Sequence, residues 1–126
     1  MRSGARIVHL VLSWLLVAGL VVQVFLAGLG VFESPARFAI HRDVGFTLSL
    51  LPVLLVIAAL VGGMGRRMVL LALAAFLLFM LQSVFVGLRE SSPMVAALHP
   101  VNGFLILLIA IVMARASWFV RRADGV

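Results

Sequence analysis

Four stretches without a charged side chain, residues 7–32, 44–65, 68–88 and 91–114, decide what this chain can fold into. Each is long enough to cross about 30 Å of hydrocarbon as a helix. Only 11% of the 126 residues are charged and 65% are apolar, whereas soluble domains are about a quarter charged. So short a chain has too little interior to hide that much apolar surface from water. No stretch alternates apolar and polar residues as a barrel strand must. Lipid offers the backbone no hydrogen bonds, so the expected fold is all-α, a transmembrane four-helix bundle. The spans are placed at about 7–32, 35–62, 67–89 and 93–115, in one transmembrane domain covering 1–126. The connection Gly62-Gly63-Met64-Gly65-Arg66-Arg67 is short and glycine-rich, which predicts adjacent antiparallel helices. Cysteine is absent, which removes disulfides and thiolate metal sites.

The ten basic residues are all arginine, giving a net charge of +6. They punctuate the apolar runs and form no polar face, so they read as topology signals and no nucleic-acid partner is implied. Arg2, Arg6, Arg66, Arg67, Arg115, Arg121 and Arg122 fall on one side with a single acid, Asp124. Arg37, Arg42 and Arg89 fall on the other, offset by Glu33, Asp43 and Glu90. The positive-inside rule then predicts a multi-pass protein of the inner (plasma) membrane with both termini cytoplasmic. Arg2 and Arg6 resemble the start of a signal peptide, but the apolar run after them is too long, and the first span is expected to be retained. Trp118 suits an interfacial anchor.

The chain repeats itself. Residues 34–46 and 92–104 share the form S-P-x5-H-x3-G-F, with six of thirteen positions identical. Upstream, Gln23 precedes Gly28-Leu29 and Gln82 precedes Gly87-Leu88 at the same spacing. Residues 7–62 and 67–115 therefore read as tandem helical hairpins related by a pseudo-two-fold axis along the membrane normal. Ser34 and Ser92 suit N-caps, with Pro35 and Pro93 in the first helical turn. His41 and His99 follow six residues later, about 9 Å along the axis, at equal depth below the outer surface. Gly45 and Gly103 lie one turn further on the same face.

Two imidazoles facing across a four-helix bundle suit the axial ligation of haem iron. In that reading the glycines make room for a flat group and Phe46 and Phe104 pack on the macrocycle. Arg37, Arg42 and Arg89 stand at the rim for propionates, and Gln23 and Gln82 bond the imidazoles or a second molecule. The plainer readings stand beside it. An isolated interfacial histidine is usually only tolerated there, membrane glycines usually serve packing, and the glutamines can bond each other. The duplication favours a ligand pair. Copper would find a sparse site at two histidines without cysteine. His9, alone at the other end, is expected at a lipid headgroup. Pro100 and Pro52 are each expected to break a helical hydrogen bond and bend their span.

His41-Arg42 with Gly45, and a second histidine in Leu98-His99-Pro100 with Gly103, resemble one four-helix half of the heme A synthase family. They also resemble an uncharacterised bacterial family of small four-helix membrane proteins with HRxxG and LHPxxG motifs. The first resemblance implies His41 and His99 as axial ligands of one haem. This chain is a single bundle without the external cysteine pair. Phe38 stands three residues before His41 and Glu33 eight before, so the family's glutamate beside a catalytic histidine has no counterpart. The resemblance thus implies a haem b site more than oxidation of haem.

The expected function is that of a b-type haem protein, an electron-transfer or redox subunit working with membrane partners or as a homo-oligomer. The alternatives are a cofactor-free assembly subunit of a larger membrane complex, and a small haem- or quinone-linked enzyme or transporter. Catalytic triads, P-loops and zinc-protease motifs are absent, in keeping with an electron carrier or accessory subunit. No acid lies inside a span, which disfavours proton coupling through a buried carboxylate.

Overall fold

In a computed structural model of the protein, the backbone is described for residues 2–123 and the side chains for 2–120. All regular structure among these residues is helical. Helix α1 covers Arg2–Phe32. A 3-10 turn, Pro35–Arg37, leads into α2, Phe38–Leu48, and α3, Leu50–Val61. Helix α4 covers Arg66–Gly87, α5 is the short Pro93–Ala96, and α6 covers Leu98–Ala123. The four membrane-crossing units are Arg2–Phe32, Pro35–Val61, Arg66–Gly87 and Pro93–Val120.

Helix α1 packs against α3 and α6, and α4 packs against the same two. The bundle is therefore a square, with spans one and three on one diagonal and spans two and four on the other. This places the two hairpins about a central pseudo-two-fold axis. Lipid supplies no hydrophobic push between helices, so close contact between small residues does the work. Ala59, Ala72, Ala75, Ala110 and Ala114 are buried along the axis and bring the backbones together around Leu16, Leu55, Ile106 and Met113. Large side chains such as Phe25, Leu77 and Leu108 point outward, as a lipid-facing surface requires.

The prolines act as their chemistry demands. Pro52 leaves the Leu48 carbonyl without its helical partner, and α2 gives way to α3 at Ser49. Pro100 does the same to Ala96, and α5 ends there, just before His99. At the opposite end α3 stops in a Schellman motif. Gly63 takes φ +58, its N–H donates to Leu60 O at 3.1 Å, and Met64 N–H donates to Ala59 O at 3.0 Å. Gly65, at φ +84 and ψ 162, then caps α4 in a region open essentially to glycine alone.

Candidate functional site

Each hairpin contributes the same few parts to the end of the bundle opposite the N-terminus. Ser34 caps the 3-10 turn by accepting from Ala36 N–H at 3.3 Å, and Pro35 opens that turn. Ser92 and Pro93 hold the matching places before α5, where the serine side chain makes no cap bond. These starts fix the phase of the second and fourth spans, and with it His41 and His99.

The two imidazoles meet across the diagonal, with ring centroids 6.1 Å apart and planes at 66°. His41 Nδ1 lies 3.0 Å from the backbone carbonyl of Gln23. His99 Nδ1 lies 3.4 Å from the carbonyl of Gln82. A carbonyl only accepts, so both Nδ1 atoms carry the proton and both Nε2 atoms keep a free lone pair. Holding one ring nitrogen on a backbone carbonyl is how metal-binding histidines are usually oriented. Both rings are half-buried.

One turn deeper, the glutamine side chains lie over the glycines. A Cβ on Gly45 would stand 3.4 Å from Gln23 Nε2, and one on Gly103 would stand 3.3 Å from Gln82 Nε2. The halves differ in how these amides are satisfied. Gln82 Oε1 accepts from Asn102 Nδ2 at 2.9 Å, and the same Nδ2 donates to Leu78 O at 2.8 Å. Repeat one has Val44 where Asn102 stands. Gln23 is 9% exposed, and neither amide atom has a hydrogen-bond partner among the described residues. A buried amide left unpaired costs about 1–3 kcal/mol, so Gln23 is the unfavourably placed member of the pair.

The remaining expected residues are distributed differently. Arg37 pairs with Glu33 at 2.5 Å, Arg42 with Asp43 at 2.9 Å and Arg89 with Glu90 at 3.6 Å. All three pairs are exposed at this same end of the bundle, where each is worth at most about 1 kcal/mol. Phe46 and Phe104 are 61% and 58% exposed and face outward, which corrects their expected packing within the site. The aromatic ring on His41 is instead Phe38, edge-on at 6.3 Å and 88°. The ring of Phe38 occupies the space beside Gly30, on the neighbouring α1. Phe38, three residues before His41, and Asn102, three residues after His99, were both visible as residues one helical turn from a histidine.

His9 is not at a headgroup. It is fully buried between α1 and α6, with Nδ1 2.8 Å from Ser117 Oγ and 3.3 Å from Ser13 Oγ. Both hydroxyls donate to the carbonyl one turn back, Ser13 to His9 O and Ser117 to Met113 O, each at 2.8 Å. Their oxygens are thus free to accept the His9 Nδ1 proton. Two serines on facing helices draw the imidazole inward, away from the lipid surface. Among the described residues no cluster of three histidines or acids could hold a metal ion.

No curated protein and no solved structure is detectably similar to this chain. Residues 23–88, just over half its length, match a family of unknown function, DUF6220. The match takes in Gln23, His41, Gly45 and Gln82, and stops before His99 and Gly103. The chain therefore belongs to the DUF6220 family.

Proposed function

We propose that this chain is a b-type haem-binding membrane protein that serves electron transfer, with His41 and His99 as the axial ligands of one haem near the external face. The observation that carries the reading is the diagonal pair of imidazoles 6.1 Å apart, each tied through Nδ1 to the equivalent carbonyl. The lone pairs at Nε2 and the unpaired amide of Gln23 fit a guest at this place. His41 and His99 would hold the haem through Nε2, and the group would supply one-electron uptake and return. The chain's own part is to fix both tautomers, set the ring spacing and keep water away with aliphatic side chains. The resemblance to one half of the heme A synthase family supports the same ligand pair. The arginine distribution supports an inner (plasma) membrane location with both termini cytoplasmic.

The test is a visible spectrum of the purified protein, oxidised and reduced. Wild type from haem-replete cells shows a reducible haem band, and His41→Ala and His99→Ala each lose it. A colourless wild-type preparation would overturn the reading.

A further inference from the structure

A second site lies at the opposite end of the bundle, on the outside of the α1–α6 seam. Trp14, Arg115, Trp118 and Phe119 line a groove of about 320 Å³. Trp14 and Trp118 are the only tryptophans in the chain, and both line this groove. Its walls are aromatic, and its one charged group is Arg115. Arg115 is exposed and has no acidic partner among the described residues. Glu33, Asp43 and Glu90 all stand at the other rim, whereas Arg2, Arg6, Arg66 and Arg67 share this end.

Depth adds the second constraint. Arg115 follows Pro93, the start of the fourth span, by 22 residues, about 33 Å at 1.5 Å per residue. That is just beyond the roughly 30 Å of hydrocarbon. Its guanidinium therefore lies at the level of lipid phosphates. Trp14, 18 residues before the end of α1 at Phe32, lies about 27 Å from the far rim, just within the acyl region.

We propose that this groove binds one anionic phospholipid, with its phosphodiester on Arg115, its headgroup flanked by Trp118 and Phe119, and the start of an acyl chain along Trp14. A guanidinium meets a phosphate through two parallel N–H donors, and an anionic headgroup complements an end where the arginines outnumber the single acid, Asp124. Rigid aromatic walls hold a chain with little loss of freedom. The site is independent of the histidine pair and of whatever binds there.

Because both tryptophans line the groove, their fluorescence reads its occupant. The full-length protein is reconstituted in phosphatidylcholine vesicles containing increasing fractions of dibrominated lipid, whose bromines quench indole at contact. Brominated phosphatidylglycerol should quench at about five-fold lower mole fraction than brominated phosphatidylcholine, the size of one arginine's attraction to an anionic bilayer. Arg115→Gln should bring the ratio to about one, Arg115→Lys should keep part of it, and the double variant Arg66→Gln with Arg67→Gln should keep it in full. Far-UV circular dichroism shows that each variant keeps its helices. The proposal fails if wild type shows a ratio near one, if Arg115→Gln keeps the preference, or if Arg66→Gln with Arg67→Gln abolishes it. It also fails if a brominated fatty acid quenches as well as the phospholipid does.

Discussion

His41 and Gln23 are separated by 18 positions in the chain, yet the imidazole donates its Nδ1 proton to the Gln23 carbonyl at 3.0 Å. The bond joins α2 to α1 within the first hairpin, and His99 with Gln82 repeats it between α6 and α4 at 3.4 Å. A backbone carbonyl in a helix is already bonded, so the histidine uses its second lone pair. No choice of side chain at position 23 removes this acceptor. Gln23→Leu should therefore leave His41 in place, and in the haem-free protein it should cost less than about 0.5 kcal/mol, since the amide it removes has no partner. Unfolding in mixed micelles measures this. A loss above about 1.5 kcal/mol would show that the Gln23 amide is bonded within the chain.

Asn102 should behave in the opposite way. Asn102→Leu strands Gln82 Oε1 in the bundle interior. Interhelical hydrogen bonds in membranes average about 0.6 kcal/mol and reach about 1.7, and the expected cost is in the upper half of that range. Equal effects of Gln23→Leu and Asn102→Leu on unfolding would contradict the asymmetry between the repeats.

At the other end, His9→Leu should be nearly neutral, because Ser13 and Ser117 keep their bonds to the carbonyls one turn back. Replacing both serines by alanine instead leaves the His9 N–H with no acceptor and should cost about 1–3 kcal/mol. The order of the two variants in thermal stability is the measurement. A more damaging His9→Leu would assign the stabilisation to something other than the serine pair.

Between the hairpins, Gly65→Ala should destabilise by about 1–3 kcal/mol, since φ +84 with ψ 162 excludes a Cβ. Gly63→Ala, at φ +58, should cost about 1 kcal/mol. Loss of helical signal on heating, compared across the two variants, tests this ranking.

Orientation is open to labelling because the chain has no cysteine of its own. Ser91→Cys sits in an exposed turn at the histidine end and Ser3→Cys is exposed near the arginine-rich end. In intact cells a membrane-impermeant maleimide should reach Ser91→Cys, and it should reach Ser3→Cys only after permeabilisation. The reverse pattern would invert the topology.

Much of this architecture is legible in the amino-acid sequence. Charge-free runs mark the spans, the repeated S-P-x5-H-x3-G-F phase puts both histidines at one depth, and Pro52 and Pro100 foretell the breaks at Ser49 and Ala97. What escapes is whatever depends on neighbours across the bundle. Nothing local says that the histidines bond the carbonyls of Gln23 and Gln82 while the amides lie one turn deeper over Gly45 and Gly103. Phe46 and Phe104 share the repeat with the histidines, but their angle on the helix turns them to lipid and leaves Phe38 against His41. His9 is misread for the same reason. Its own surroundings in the chain are those of an interface, and the serine that buries it stands 108 positions away.

The difference between Val44 and Asn102 reaches beyond stability. Two identical halves would offer a flat guest two equivalent ways of lying between the imidazoles, related by half a turn. An amide whose oxygen is bonded on one side and an amide with neither atom bonded on the other make those two placements unequal in energy. The repeat thus supplies a matched pair of imidazoles, and the single exchange of Val44 for Asn102 gives the space around them a handedness.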